Sequence, residues 1–152
     1  MPQPVKQMHP YLIVSRAADA IAFYVAAFGA REIYRLVDPA DGRIGHAELD
    51  IGGTRLLLAD EYRDFGAVSP ATLGGSPVKF QLEVADADAF LTEALRHGAT
   101  QQRAVRLEFH GYRSGMVLDP FGYSWFISSK VEELTVPQMQ RRWDAGLAEA
   151  GA

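Results

Sequence analysis

The sequence predicts an α+β fold in which a β-α-β-β-β module occurs twice in tandem and is followed by a C-terminal helix. Short β-prone runs alternate with single helical patterns, the order of elements restarts in the second half of the chain, and glycines recur at matching turns. We expect the two modules to form a curved mixed sheet around a cup.

The first module is expected over residues 9–68, after a lead of residues 1–8. Tyr11–Val14 is a short β-prone run, and Asp19–Phe28 carries apolar residues at helical spacing before Gly29. Three more strands are predicted between turns rich in glycine and aspartate: Glu32–Val37, Ile44–Ile51 and Thr54–Ala59.

The second module is expected over residues 79–130, after a connection rich in Gly, Ser and Pro at residues 69–78. Lys79–Val84 predicts a strand, and Ala87–His97 predicts a helix that ends at Gly98. A nearly constant offset pairs turn and strand residues of the two halves: Gly98 with Gly29, Gly111 with Gly42, Leu118 with Leu49, and Gly122 with Gly53. We interpret this pattern as an internal duplication.

Residues 131–152 form an extension beyond the second module. A helix with one apolar edge is predicted to begin near Thr135, from the spacing of Val136, Met139, Gln140, Trp143 and Leu147. Such an edge either forms an interface with another chain or packs on its own domain.

Composition and charge limit the possible functions of the 152-residue chain. Its formal net charge of −4 provides no excess of positive charge for a nucleic-acid backbone, and it has no cysteine for disulfides or thiol chemistry. No stretch approaches the roughly 20 apolar residues that cross a bilayer, and no leader peptide is apparent. We therefore expect a cytoplasmic protein with no nucleic-acid or membrane partner.

Alternation along two of the predicted strands separates an apolar face from a polar face. His46 and Glu48 alternate with Ala47 and Leu49, and Lys79–Val84 alternates in the same way. If the helices cover the apolar residues, the polar residues face away from them. That second face is either simply solvated or forms the floor of the cup.

Several segments together resemble a known family. His9–Val14, Ala22–Ala30 and Leu118–Tyr123 are similar, in order and spacing, to the vicinal oxygen chelate superfamily of glyoxalases, bleomycin resistance proteins and extradiol dioxygenases. Further segments most resemble its PhnB-like branch: Gly42–Leu49, Leu58–Glu61, Leu73–Gly75, Arg113–Gly115 and Asp119–Trp125. The resemblance implies a homodimer that binds a small molecule in each cup.

The resemblance also implies where metal-dependent members hold their ion, with one ligand from the first strand and one from the last strand of each module. In this sequence those positions are His9, Leu57, Lys79 and Phe126. Leucine and phenylalanine have no donor atom and a protonated lysine repels a cation, so we expect no metal cofactor. A replacement set of His9, His46 and Glu48, with His110 nearby, remains the alternative.

The candidate site residues follow from these faces and motifs. His46 and Glu48 are a candidate catalytic pair for metal-free acid/base chemistry. The candidate ligand-binding residues are His9, Tyr11, Lys79, Gln81, Arg113 and Phe126. Tyr11 and Phe126 either stack on a flat ligand or only fill the cup, and Arg113 either binds a carboxylate or phosphate or is a surface turn residue.

Three further residue assignments complete the prediction. Trp125 is expected to pack in the core on the helix side of the last strand. The acidic pairs Asp60–Glu61 and Glu132–Glu133 are interpreted as solvated ends.

The preferred function is metal-independent binding of a small organic molecule, as in sequestration or resistance proteins. One alternative is a divalent-metal-dependent lyase, isomerase or dioxygenase of the same superfamily. The other is a metal-free acid/base enzyme that uses His46 and Glu48, with Lys79 holding an anionic substrate. The residues alone do not decide whether the protein is an enzyme.

Overall fold

The computed structural model describes residues 1–151, which divide into two compact units. The first unit contains Met1–Pro77 together with Pro120–Tyr123, and the second contains Val78–Asp119 together with the chain from Ser124 onward. Each unit holds one module.

The first unit is a four-stranded mixed sheet covered on one face by a helix. Its elements are β1 (Tyr11–Val14), α1 (Ala17–Phe28), β2 (Arg31–Val37), β3 (Ile44–Ile51) and β4 (Thr54–Asp60). The strand order is β1-β4-β3-β2, with β1 parallel to β4 and the other pairs antiparallel. Helix α1 ends as predicted at Gly29, whose φ of 68° is the left-handed conformation that favours glycine.

Two short helical turns follow β4, in a region predicted to be loop and connection. A 3-10 turn covers Arg63–Phe65, and α2 covers Pro70–Leu73. The local sequence explains α2, because Ser69 caps its first turn by accepting a hydrogen bond from Thr72 N and proline occupies its first position.

The second unit repeats the architecture of the first. Its elements are β5 (Lys79–Glu83), α3 (Ala87–Arg96), β6 (Thr100–Leu107), β7 (Tyr112–Leu118) and β8 (Ser124–Lys130), followed by the C-terminal helix α4 (Val136–Ala150). The strand order β5-β8-β7-β6 matches that of the first sheet. The predicted fold class, α+β with two βαβββ modules and a C-terminal helix, is confirmed.

The strand register agrees with the predicted correspondence between the modules in the parallel pair of strands, which is β1–β4 in the first sheet and β5–β8 in the second. Tyr11 lies opposite Leu57 in the first sheet, as Gln81 lies opposite Phe126 in the second.

In the third strand of each module the predicted pairing of Leu118 with Leu49 is wrong. Leu49 is fully buried on the helix side, whereas Leu118 shares the other face with Met116. The cause is the last hairpin: Leu118 pairs with Ser124 across a longer loop than the two-residue turn at Gly52 and Gly53, and a one-residue slip moves a side chain to the other face.

The core of the first unit lies between α1 and its sheet. Buried side chains from the strands include Leu12, Val14, Ala47, Leu49 and Leu58. Phe121 packs edge-on against Phe23 of α1, with ring centres 6.2 Å apart, and Tyr123 OH donates to the carbonyl oxygen of Ile13 at 2.9 Å. These contacts attach the segment Pro120–Tyr123 to the first unit.

The core of the second unit lies between α3 and its sheet. Leu91 of α3 packs against the backbone of Gly115, where an added Cβ would lie 2.7 Å from Leu91 Cδ1 and 2.9 Å from Val105 Cγ2. Trp125 is 3% exposed and its Nε1 donates to Asp119 at 2.8 Å, so its predicted core position is confirmed.

Helix α4 begins where the sequence predicts. The Thr135 hydroxyl accepts from Gln138 N at 3.3 Å while the Gln138 side chain accepts from Thr135 N at 2.8 Å, which forms a capping box. Its apolar edge lies partly on its own unit, because the Trp143 and Phe109 ring centres are 4.9 Å apart. Among residues 1–151, no helix is long and apolar enough to span a membrane.

Candidate functional site

The front face of the first sheet, defined as the face opposite α1, carries a connected group of polar side chains. Alternation along the strands places them there, because the residues between them are buried under α1. The group consists of Tyr11, Tyr34, His46, Glu48 and Arg55.

A hydrogen-bonded chain joins three of these side chains. Tyr11 OH lies 2.8 Å from His46 Nδ1, and His46 Nε2 lies 2.9 Å from Glu48 Oε2. A carboxylate only accepts hydrogen bonds, so the imidazole donates through Nε2–H and accepts from the Tyr11 hydroxyl at Nδ1. The neutral imidazole therefore has both ring nitrogens occupied.

Glu48 is the centre of this network. It also accepts hydrogen bonds from Tyr34 OH and from Arg55 Nη1, the latter at 2.9 Å. These bonds, that from Tyr34 first and that from His46 second, hold the pKa of Glu48 below its ordinary value. Glu48 is thus an ionised carboxylate that fixes the orientation of His46.

Tyr11 is the end of the chain that reaches solvent, with 48% of its surface exposed. Partial burial and, to a smaller extent, the charge of Glu48 raise the pKa of its hydroxyl. Tyr11 therefore keeps its proton at neutral pH, and its O–H group donates a hydrogen bond to His46.

Tyr11 also lines a pocket of about 410 Å³ within the first unit. This volume falls in the range of about 300–1,000 Å³ that is common for small-molecule sites. The strands provide one side of the pocket and a loop provides the other; its lining residues are Tyr11, Ile13, Gly45, Ala59, Asp60, Tyr62, Phe65 and Ala67.

The loop over this pocket, residues 62–67, is closed by backbone hydrogen bonds. Tyr62 N donates to Ala67 O at 2.9 Å and Ala67 N donates to Tyr62 O at 3.1 Å. Phe65 lies within it and is 85% exposed. The loop therefore presents a large apolar ring that its own unit leaves uncovered.

Asp60 and Glu61, the acidic pair that precedes this loop, were predicted to be a solvated end, and this prediction was wrong. Asp60 is buried and accepts from the backbone N–H groups of Ala17 at 2.8 Å and Ile44 at 2.7 Å. Glu61 accepts from Ser69 N at 2.7 Å and Ser69 Oγ at 2.6 Å. Hydroxyl donation, first by Ser69 and then by Thr72, lowers the pKa of Glu61 to about 2.

The second acidic pair is only partly solvated. Glu132 forms two 2.9 Å hydrogen bonds with the Arg142 guanidinium of α4. Glu133 pairs with Lys130 at 2.7 Å but keeps 86% of its side chain exposed.

The front face of the second sheet, opposite α3, carries three predicted ligand-binding residues and two that the sequence did not single out. Lys79, Gln81 and Phe126 lie there, as predicted, on neighbouring strands β5 and β8. Arg103 of β6 and Met116 of β7 join them, since Arg103 pairs with Met116 and Met116 with Phe126. Arg103 was missed because register shifts on both sides of it break the alternation of β6.

Arg113 lies apart from both groups. Its position in β7 faces α3, and its Nε and Nη2 donate to the two carboxylate oxygens of Asp88 at 2.9 and 3.0 Å. This pairing raises the pKa of Arg113 and lowers that of Asp88.

His9 precedes β1 and belongs to the first unit. Its Nε2 lies 3.1 Å from the Gln7 side-chain oxygen, and its buried Nδ1 has no hydrogen-bond partner. Over the described residues 1–151, no three His, Asp or Glu side chains are grouped in a way that could hold a metal ion.

Comparison with known proteins identifies the class. A model of the Glyoxalase/Bleomycin resistance protein/Dioxygenase superfamily matches residues 6–127, and the chain belongs to this superfamily.

Two individual relatives are similar over most of the chain. An uncharacterized protein of Mycobacterium bovis is 40% identical over 136 residues, which cover 88% of this chain and 89% of that protein. The X-ray structure of a gene product of Arabidopsis thaliana is 29% identical with a TM-score of 0.67, covering 82% of this chain and 99% of that one.

A more distant structure shares the fold. The fosfomycin resistance protein FosX of Listeria monocytogenes, complexed with Mn(II) and sulfate, is 16% identical with a TM-score of 0.66, covering 93% of this chain and 99% of that one.

Proposed function

We propose that this protein binds a small organic molecule, without a divalent metal, in the pocket of the first unit beside Tyr11. The observation that carries the proposal is the hydrogen-bonded chain of Tyr11, His46 and Glu48, which reaches the wall of that pocket through Tyr11. Small-molecule sites combine a mainly apolar enclosure with a few oriented polar groups. Here the polar groups are preorganised before any ligand arrives.

The chemistry of the available donors supports metal independence. Of the positions that metal-dependent relatives are expected to use, Leu57 and Phe126 have no donor atom and Lys79 is a cation. The replacement ligands His46 and Glu48 already bond each other, and Tyr11 occupies the other imidazole nitrogen. A divalent ion would have to break this network, so the residues do not fit one.

The pocket also favours a particular kind of ligand. Because the Tyr11 hydroxyl donates its hydrogen bond to His46, its lone pairs are left to accept a hydrogen bond from an N–H or O–H group. Tyr62 and Phe65 supply aromatic surface on the opposite wall. The expected ligand is a flat, partly apolar molecule with at least one hydrogen-bond donor.

The finer expectations from the sequence belong to the same proposal. They are a sequestration or resistance role, membership of the PhnB-like branch, assembly as a homodimer and a cytoplasmic location without nucleic-acid or membrane partners. The mild net charge of −4 is compatible with all of them.

The test is a thermal-shift and calorimetric screen with bleomycin, indole and adenine as probes, each in EDTA and in Mn²⁺. A probe at 100 times its Kd is expected to stabilise the protein by about 2.7 kcal/mol, equally in both buffers. Tyr11→Phe should weaken binding at least tenfold, and Tyr112→Phe, in the second unit, should not. Binding that requires Mn²⁺, or that Tyr11→Phe leaves intact, contradicts the proposal.

A second candidate is metal-free acid/base catalysis by His46. The 2.9 Å contact with Glu48 favours it, because a carboxylate orients an imidazole and stabilises its protonated form. Two observations weigh against it. His46 Nδ1 is occupied by the Tyr11 hydroxyl, and Tyr11 has a raised pKa and is already protonated, so neither side chain is free to take a proton from a ligand. NMR spectra of a bound probe, recorded over hours, separate the two: an unchanged probe supports binding, and conversion abolished by His46→Gln supports catalysis.

A further inference from the structure

We propose that a groove beside the C-terminal helix is a second binding site, which takes a small, uncharged, apolar molecule. This α4 groove has a volume of about 680 Å³, with Leu107 and Phe109 on one wall and Trp143, Gly146 and Leu147 of α4 on the other. Both walls belong to the second unit, whereas the pocket beside Tyr11 belongs to the first. The proposal therefore goes beyond the proposed function.

The α4 groove is also separate from the part of the chain that the superfamily model matches. That model matches residues 6–127, and α4 covers Val136–Ala150. The other wall lies at the end of β6, which is the edge strand of the second sheet farthest from β5. The groove is therefore built largely by an extension of this chain beyond the family match.

An aromatic contact joins the two walls. The Trp143 ring packs edge-on against Phe109, with ring centres 4.9 Å apart and ring planes at 66°. The apolar side chains around this contact remain open to solvent, since Leu107 is 53%, Trp143 46% and Leu147 55% exposed. A ligand that covers them gains the free energy of burying apolar surface.

Gly146 leaves space in the helical wall. A Cβ added at this position would meet no atom within 4 Å. Glycine is less favourable than alanine inside a helix, so helix formation by itself does not account for a glycine here. In the α4 groove the absence of a side chain leaves room for a ligand beside Trp143.

The charges around the groove balance, and this favours an uncharged ligand. Arg106 Nε donates to Glu108 at 2.7 Å, and Arg142 forms two 2.9 Å hydrogen bonds with Glu132. Three guanidinium groups are matched by three carboxylates: Arg103, Arg106 and Arg142 by Glu108, Glu132 and Glu149. An anion or a cation would meet both signs of charge, whereas an apolar molecule contacts the aromatic and aliphatic side chains between them.

The concave shape favours a small molecule over a second protein surface. A volume of about 680 Å³ lies within the range of about 300–1,000 Å³ that is common for small-molecule sites. The expected ligand is an aromatic or acyl compound without a formal charge, and it needs no hydrogen-bond donor. This distinguishes it from the ligand expected beside Tyr11.

The experiment is an NMR titration of the ¹⁵N-labelled full chain with two probes that share one ring skeleton. N-phenyl-1-naphthylamine is uncharged, and its 8-sulfonate derivative is an anion. The uncharged probe should shift the indole N–H signal of Trp143 saturably, with an affinity at least tenfold higher than that of the sulfonate. The signal of Trp125, which is buried in the core, should not move. No saturable shift of Trp143, or equal affinity for the two probes, overturns the proposal.

Matched leucine variants test the position of the site. Gly146→Leu fills the open space in the groove and should weaken binding of the uncharged probe at least tenfold. Ala148→Leu adds the same side chain at an exposed position of α4 outside the groove lining and should leave the affinity unchanged. If the two variants weaken binding equally, the proposal fails.

Two further variants keep the outcome clear. Circular dichroism checks that Gly146→Leu retains its helix; if it does not, Leu107→Gln in the other wall decides the test and should also weaken binding. Tyr11→Phe should leave the Trp143 shift unchanged, so a failure of the first pocket cannot be mistaken for a failure of this site.

Light scattering over a range of protein concentrations tests the alternative occupant, a second copy of the chain. A dimer that excludes the uncharged probe and that Gly146→Leu converts to a monomer would make the groove an interface between copies and would overturn the proposal. A monomer that binds the probe, or a dimer that still binds it, supports the small-molecule site.

Discussion

The two sheets have the same strand order but different side chains in their central rows. Across the first sheet the front-face row is Tyr11, Leu57, Glu48 and Tyr34. Across the second sheet it is Gln81, Phe126, Met116 and Arg103. The first row is organised by a buried carboxylate and the second contains a guanidinium, so one backbone plan supports two differently charged rows of side chains.

The helix-facing sides of the sheets explain how this difference is tolerated. In each module a side chain of the last strand caps the first N–H group of the helix: Asp60 Oδ1 accepts from Ala17 N at 2.8 Å, and Ser129 Oγ accepts from Ala87 N at 3.3 Å. These contacts and the apolar core hold the fold together. The front faces are then free to vary, which is why fold alone does not specify function.

Removing these two caps should give the largest difference between the modules in lost free energy of unfolding. Asp60→Ala leaves the N–H groups of Ala17 and Ile44 without their acceptor and should destabilise the protein by about 3 kcal/mol. Ser129→Ala removes one longer bond and should cost about 1 kcal/mol. Urea unfolding of both variants measures the two values; equal losses would show that the caps are equivalent.

The next largest difference in stability is expected between alanine substitutions of one glycine in the third strand of each module. Gly115→Ala places a Cβ 2.7 Å from Leu91 Cδ1 and 3.1 Å from Arg103 O, and this overpacking should destabilise by about 2 kcal/mol. Gly45→Ala meets only Tyr62 OH at 3.8 Å and should change stability by less than about 0.5 kcal/mol. Thermal and urea unfolding provide the comparison. A Gly115→Ala variant as stable as the original protein would mean that α3 moves away from the sheet without loss of stability.

The sequence predicts the features that depend on local periodicity. The bounds of β3 agree fully with prediction, and the Thr135 cap of α4 is at its predicted position. The pair His46 and Glu48 was also found from spacing alone, because residues two apart on a strand share a face.

Features that depend on distant partners could not be predicted in this way. The bond from Tyr11 to His46 requires β4 to lie between β1 and β3, a strand order that periodicity does not specify. Asp60 finds its donors 43 and 16 residues away along the chain. The irregular register of β6 removed the alternation that would have indicated Arg103.

Acid should weaken the first module more than the second. Hydroxyl and backbone donors lower the pKa of Glu61 to about 2, below its ordinary value of 4.5. A carboxyl whose pKa is lower in the folded state contributes stability that is present in full above about pH 4.5 and is lost as the pH falls through about 2.

The last strand of the second module ends instead at Lys130, which pairs with Glu133 and has a raised pKa. Its ammonium keeps its charge throughout the acid range. Glu61→Gln should therefore flatten the dependence of unfolding free energy on pH between about 4.5 and 2, whereas Lys130→Gln should leave that slope largely unchanged. Urea unfolding at several pH values measures the slope. An unaltered slope in Glu61→Gln would place the acid sensitivity elsewhere, because the Ser69 and Thr72 donors would then not be favouring the ionised carboxylate.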